Sequence, residues 1–296
     1  MANLPHFIHI GFPKTASTWL QDLFAAHQDI CFAYKPKFFH WDDCFSKGKD
    51  FYLSLFKPKS GNKISLDSDE QYSAGFRYRS FGWDCCHEEK RSEGFGKAVQ
   101  KFAMPMDNEL IAKRIHQTVP DAKILIVIRN QADWLASVYK HFIRGREELR
   151  AFSKFIKEDA FVKVGFYSAI VDLYFKLFGR GNVLVLFYEE LLSNPENFLD
   201  KISDFFGIDK FDHSRINTRA KVSLTNRGAK ILRIINFAAR KFPWVARPIF
   251  YLDRKFLSRL NDSKFISDKD REYLANLYAE DNKKLAELLG RPNLYT

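Results

Sequence analysis

The stretch Lys123-Ile124-Leu125-Ile126-Val127-Ile128-Arg129 is apolar at five consecutive positions. A strand with one face in water alternates apolar and polar residues. A strand apolar at every position is covered on both faces, and such cover comes with a parallel sheet whose crossover helices lie on either side. The flanking sequence agrees. Residues Asp107 to Val119 have the spacing of an amphipathic helix closed by Pro120. Asn130-Gln131-Ala132-Asp133 opens another helix, which continues through Trp134, Leu135, Val138, Tyr139 and Phe142. Further apolar runs predict strands over Phe7–Ile10, Asp29–Ala33, Lys63–Leu66 and Asn182–Tyr188. Helices are predicted over Gly165–Phe178, after Pro195, and over Lys269–Leu289. Alternation of this kind defines an α/β fold with a central parallel sheet flanked by helices, binding its ligand at the strand C-termini. One such domain over residues 1–296 is expected.

The first strand leads into the most informative loop. Gly11 and Pro13 break the apolar run, and Ser17 or Thr18 opens a helix with Trp19, Leu20, Leu23 and Phe24 on one face. The loop between is rich in small and hydroxyl residues and carries Lys14. A helix N-terminus offers unpaired N–H groups and partial positive charge, which suits a phosphate. Lys14 adds a full charge, and Thr15, Ser17 and Thr18 add hydroxyls. The nucleoside-triphosphate pattern G-x-x-x-x-G-K-[ST] is not met: the lysine comes early and the second glycine is missing. An ordinary strand-to-helix connection is the plainer reading of the loop taken alone.

Pro13-Lys14-Thr15-Ala16-Ser17-Thr18-Trp19 resembles the loop with which sulfotransferases wrap the 5′-phosphosulfate of 3′-phosphoadenosine 5′-phosphosulfate (PAPS). Ala16 stands where that family usually has glycine. The family's second motif, an arginine at a strand end and a serine eight positions on, holds the 3′-phosphate and is matched by Arg129 and Ser137. An arginine fork and a hydroxyl can jointly bind one phosphate. The resemblance implies PAPS as co-substrate, with 3′-phosphoadenosine 5′-phosphate (PAP) as product. It implies transfer of a sulfuryl group to an acceptor hydroxyl or amine, and the P-loop-like sulfotransferase fold; Lys14 and the helix N–H groups can stabilise the leaving phosphate oxygen, so no metal is expected to be required. It also suggests a basic, glycine-containing loop closing over the nucleotide, for which Arg219, Lys221 and Arg227 are candidates.

Residues 34–56 resemble the carbohydrate sulfotransferases of the heparan type, through Phe38-Phe39 and Gly48-Lys49-Asp50-Phe51-Tyr52. Aligned on the two phenylalanines, that family's catalytic glutamate falls on Lys35. A lysine serves as base only when strongly desolvated, so the proton acceptor is sought elsewhere. Glu70 ranks first, at the end of the third predicted strand, followed by Asp69 and His40. A solvated turn is the alternative for Asp67 to Glu70, and simple packing the alternative for His40. Lys35 and Lys37 suit an anionic substrate. Residues 73–106 read as an irregular insertion over the active site. Tyr188-Glu189-Glu190-Leu191 and the following Pro195 helix read as scaffold.

The net charge of +11 is concentrated: residues 215–260 hold twelve Lys or Arg against Asp253 alone. That basic helical segment implies an anionic partner, such as a nucleotide, an acidic glycan or, through residues 230–259, a membrane surface. No nucleic-acid recognition motif accompanies it. The expected acceptor is a sugar or glycolipid hydroxyl. Alternatives are a small phenol, alcohol or lipid, a nucleotide kinase or NTPase with a degenerate loop, and a non-catalytic nucleotide-binding relative. No apolar run reaches the ~20 residues of a membrane span, and a chain without a signal peptide is expected from the early start of the first strand. Cys31, Cys44, Cys85 and Cys86 read as reduced thiols. A cytoplasmic location is expected.

Overall fold

A computed structural model of the chain describes residues 6–34, 36–70, 72–73, 76–77, 104–105, 107–144, 150–157, 159–215, 231, 234, 265–292 and 294. The chain opens with β1 (His6–Gly11), α1 (Ser17–Ala26), β2 (Ile30–Tyr34), α2 (Asp42–Phe45), α3 (Gly48–Ser54) and β3 (Ile64–Ser68). A short antiparallel pair follows, β4 (Phe76–Arg77) with β5 (Met104–Pro105). Then come α4 (Asn108–Thr118), β6 (Lys123–Ile128), α5 (Gln131–Arg144), α6 (Phe152–Phe155), α7 (Asp159–Val162) and α8 (Tyr167–Phe178). The series continues with β7 (Val183–Phe187), α9 (Tyr188–Ser193) and α10 (Pro195–Phe206), and a last helix spans Asp268–Leu289.

The main sheet has five parallel strands in the order β2-β3-β1-β6-β7. This is the central parallel sheet that the uninterrupted run at 123–129 predicts. Its two faces explain that run. Phe7, Leu66, Leu125, Val127 and Leu186 point into one cluster with Leu20 and Phe24 of α1 and Phe198, Leu199, Ile202 and Phe206 of α10. The alternate residues Ile8, Ile10, Ile124, Ile126 and Ile128 are wholly buried on the other face, where α8 lies against β6, β7 and α4. Each such isoleucine contributes about 1.5–3 kcal/mol of burial. Asp107 caps α4 by accepting from the N–H groups of Glu109 and Leu110 at 2.9 and 3.0 Å. Pro195 starts α10 behind the Asn194 cap, and Gly207 ends it in the left-handed conformation.

Contacts divide the chain into two compact units. The first, Met1–Arg129 with Phe166–Ile216 and Asp281–Thr296, holds the main sheet. The second, Asn130–Gly165 with Asn217–Glu280, is built on aromatic packing. In it Tyr139 meets Phe152 and Phe155 at ring distances of 5.3 and 5.2 Å, and Phe155 stacks on Phe161 at 4.7 Å. Tyr278 donates to the Val162 carbonyl at 2.8 Å, and Arg271 pairs with Asp133 at 3.0 Å.

Two expectations change. The third strand runs through Asp67 and Ser68 rather than stopping at Leu66, and Asp67, Ser68 and Asp69 are completely buried. This replaces the solvated turn with a polar lining at the strand end. Cys44 is disulfide-bonded, its partner outside the described residues, whereas buried Cys31 is free. Since disulfides persist in oxidising surroundings, cysteine usage no longer argues for a cytoplasmic chain. No described helix is long and apolar enough to cross a membrane. The basic segment 215–260 and the insertion 73–106 lie largely outside the described residues; Ile231 and Ile234 are helical and exposed.

Candidate active site

The loop after β1 is tied down from inside. The Phe12 N–H donates to the Val127 carbonyl of β6 at 2.8 Å, and the buried Thr15 hydroxyl donates to the Phe12 carbonyl at 2.5 Å. With its single hydrogen turned inward, Thr15 has only its backbone N–H to offer an anion from the donor side. Lys14 and Ala16 both adopt left-handed backbone, at φ 68° and 66°. That conformation curls the chain so that successive N–H groups face one concavity. It also explains why glycine is usual at the position of Ala16, since a Cβ there costs about 1–2 kcal/mol. Helix α1 begins at Ser17 with no side chain capping its first turn, which leaves its N–H groups for a ligand. Ser17 is buried, Thr18 exposed and Lys14 half-buried. Trp19 packs on the core cluster.

Arg129 follows the last residue of β6, the strand beside β1. Its Nη1 donates to the Lys14 carbonyl at 3.3 Å, and its guanidinium lies 4.4 Å over the Tyr188 ring. Its Nε is buried, and no described residue accepts from it. A rigid, stacked guanidinium with a buried donor left over suits a phosphate oxygen. The structure therefore brings Lys14, the α1 N-terminus and Arg129 together. Ser137 is half-buried on α5 in the second unit. That helix is capped by Asn130, whose side chain accepts from Ala132 and Asp133 N–H groups at 3.1 and 3.3 Å. Arg227, Arg219, Lys221 and Lys35 lie outside the described residues.

The acidic candidates collect at the end of β3. Parallel pairing of His9 with Ser68 sets this end beside the phosphate loop. The approach is close: a Cβ on Gly11, whose φ is 110°, would stand 2.4 Å from the Glu70 carbonyl oxygen. The Glu70 carboxylate accepts from Gln21 Nε2 at 3.1 Å, and the same amide reaches the Ser68 carbonyl and hydroxyl, each at 3.2 Å. Ser68 Oγ lies 2.8 Å from His9 Nδ1. Asp69 Oδ2 faces His40 Nε2 at 3.2 Å, with side chains only 1% and 2% exposed. The His40 ring packs on Tyr72, 4.8 Å between centroids.

Asp67 sits deepest. Its Oδ2 accepts from the phenols of Tyr52 at 3.2 Å and Tyr72 at 3.1 Å. Burial, then the nearby Asp69 charge, push its carboxyl well above the usual carboxylate range, against the two phenol hydrogen bonds. Both phenols are raised in turn, first by burial and then by Asp67. The sequence assigns no site role to Gln21 or His9, and it reads Tyr188 as scaffold and Ser68 as part of a turn. Only Gln21 left a signal there, a polar residue on the helix face shared with Leu20 and Phe24.

Two cationic groups and a helix N-terminus at the C-terminal ends of neighbouring strands suit a nucleotide phosphorylated at more than one position, so the fold and site define a nucleotide-binding α/β protein. The profile of the sulfotransferase domain matches residues 4–227, and the chain belongs to that family. Human heparan sulfate glucosamine 3-O-sulfotransferase 6 is 21% identical over 214 residues, which are 69% of this chain and 52% of that protein. Human bifunctional heparan sulfate N-deacetylase/N-sulfotransferase 2 is 23% identical over 230 residues, 70% of this chain and 22% of that protein. The chain thus spans about half the length of the first and less of the second. A solved sulfotransferase from Alicyclobacillus acidocaldarius has the same fold, with a TM-score of 0.60 at 20% identity, covering 98% of this chain and 97% of that one.

Proposed function

We propose that residues 1–296 act as one PAPS-dependent sulfotransferase domain that sulfates a hydroxyl of a carbohydrate or glycolipid. The observation that carries the reading is the meeting of the Lys14 loop, Arg129 and Glu70 at the C-terminal ends of the central strands. The left-handed turn and the α1 N–H groups would hold the 5′-phosphosulfate, with the hydroxyls of Ser17 and Thr18 beside it. Arg129 would hold the 3′-phosphate. In the transfer, the acceptor oxygen bonds to sulfur while the bond from sulfur to the phosphate oxygen breaks. Lys14 and the helix N-terminus stabilise the charge that develops on that leaving oxygen, and Glu70 takes the acceptor's proton. Glu70, a partly exposed residue, is preferred to the His40–Asp69 pair because the side chains of that pair are almost fully buried, and a base must reach the acceptor.

The likeness to heparan sulfate 3-O-sulfotransferase 6 supports a sugar hydroxyl as acceptor, and the net charge of +11 supports an acidic one. The test is turnover of labelled PAPS with a panel of saccharides, glycolipids and phenols, comparing wild type with Glu70→Gln. Wild type is expected to sulfate an oligosaccharide, and Glu70→Gln to lose at least ~100-fold in kcat while binding PAP normally. Undiminished activity in Glu70→Gln, with loss in His40→Asn, would transfer the base to the histidine. Binding of ATP with magnesium but not of PAP would overturn the whole assignment.

A further inference from the structure

Gln21 is a polar side chain, 1% exposed, on the face of α1 that otherwise packs Leu20 and Phe24 into the core. Burying an amide without partners costs about 1–3 kcal/mol, so its partners indicate why it is there. All three are acceptors at the end of β3: the Ser68 carbonyl, the Ser68 hydroxyl and Glu70 Oε2. The carbonyl and the carboxylate can only accept, which fixes the amide with Nε2 toward them. The Ser68 hydroxyl, receiving from Gln21, has its own hydrogen for His9 Nδ1 at 2.8 Å. A buried chain thus runs from β1 through β3 to α1 and ends on the one carboxylate of this cluster that is partly exposed.

We infer that Gln21 is a positioning residue for the reaction. It fixes the rotamer of Glu70 and links the proton acceptor to the helix whose N-terminus faces the phosphosulfate. The backbone of Glu70 lies close against Gly11, and the Gln21 hydrogen bond ties its side chain to α1. The two halves of the transfer, the base and the leaving-group site, are then set by opposite ends of one rigid helical turn, because Ser17 and Gln21 are four residues apart. Misplacement of a reacting group by about 1 Å can cost ~100-fold.

This inference rests on Glu70 being the base, and a double-mutant cycle separates the two. Gln21→Leu keeps the volume and removes the donor. Gln21→Asn keeps an amide but falls one methylene short of Glu70. Both are expected to lower kcat by about 10-fold or more, with KM for PAPS and affinity for PAP within about two-fold of wild type. In the Glu70→Gln background the same changes are expected to have no further effect on kcat, since there is no base left to place. A purely structural role would lower kcat equally in both backgrounds, and that result overturns the inference while leaving Glu70 in place. Full activity of Glu70→Gln overturns both. If Gln21→Leu does not fold, Gln21→Asn and its cycle decide.

Discussion

Asp67→Asn isolates what the buried carboxyl does to stability. Folded Asp67 holds its proton well above the pH at which an ordinary aspartate loses it, because burial and the Asp69 charge oppose ionisation. Unfolded Asp67 ionises near pH 4. Between that pH and its raised folded value, the folded chain carries one more proton than the unfolded chain at this site. The sign follows: this site's contribution to stability is complete below the unfolded value and declines as pH rises toward the folded one. The slope is about 1.4 kcal/mol per pH unit for one whole proton. From pH 5 to pH 7 the contribution should fall by up to ~2.8 kcal/mol while the folded carboxyl stays protonated.

Asparagine cannot titrate, yet its carbonyl can accept the Tyr52 and Tyr72 hydrogens as Oδ2 does. Denaturant unfolding of both proteins at pH 5, 6 and 7, at fixed ionic strength, therefore reads Asp67 by difference. The variant should gain on wild type at each step upward. A carboxylic-acid C=O stretch, present at neutral pH in wild type and missing from the variant, gives the same answer without unfolding. Stability curves that stay parallel within about 0.5 kcal/mol would refute the reasoning, because Asp67 would then ionise alike in both states.

Lys14→Ala should cost at least ~100-fold in kcat for sulfuryl transfer, with melting unchanged, since alanine meets the same left-handed backbone; a variant with wild-type turnover would remove Lys14 from the reaction. Ala16→Gly should relieve the penalty of about 1–2 kcal/mol at φ 66°. The greater freedom of unfolded glycine offsets about 0.5–1 kcal/mol of that. A rise in melting temperature of about 2 °C with PAP binding retained is expected, and a fall would show that the turn is not strained at this residue.

Much of this architecture was legible because apolar runs and breakers report it directly. The run at 123–128 announces a sheet covered on both faces, and the run at 7–10 followed by Gly11, Pro13 and Lys14 announces a strand, a turn and a helix. Reading by hydrophobic pattern failed where burial is polar. The third strand was cut short at Leu66 because an aspartate and a serine look like its end; in the fold their burial is supported by Tyr52, Tyr72, Gln21 and His9. Tyr188 looked like part of a scaffold segment, and only the packing of α9 after β7 sets its ring under Arg129. Such partners are far apart in sequence and follow no period, so a single chain gives no local sign of them.

Three carboxyl groups within four residues would repel one another if all were ionised in one environment. The fold gives each a different one. Asp67 lies between two phenols, and burial together with the Asp69 charge holds its carboxyl well above the usual carboxylate range. Asp69 faces His40, and the pair is sealed from water. Glu70 is partly exposed, and its carboxylate accepts from the Gln21 amide. As the proposed proton acceptor, Glu70 stands just past the C-terminal end of β3, which lies between β2 and β1.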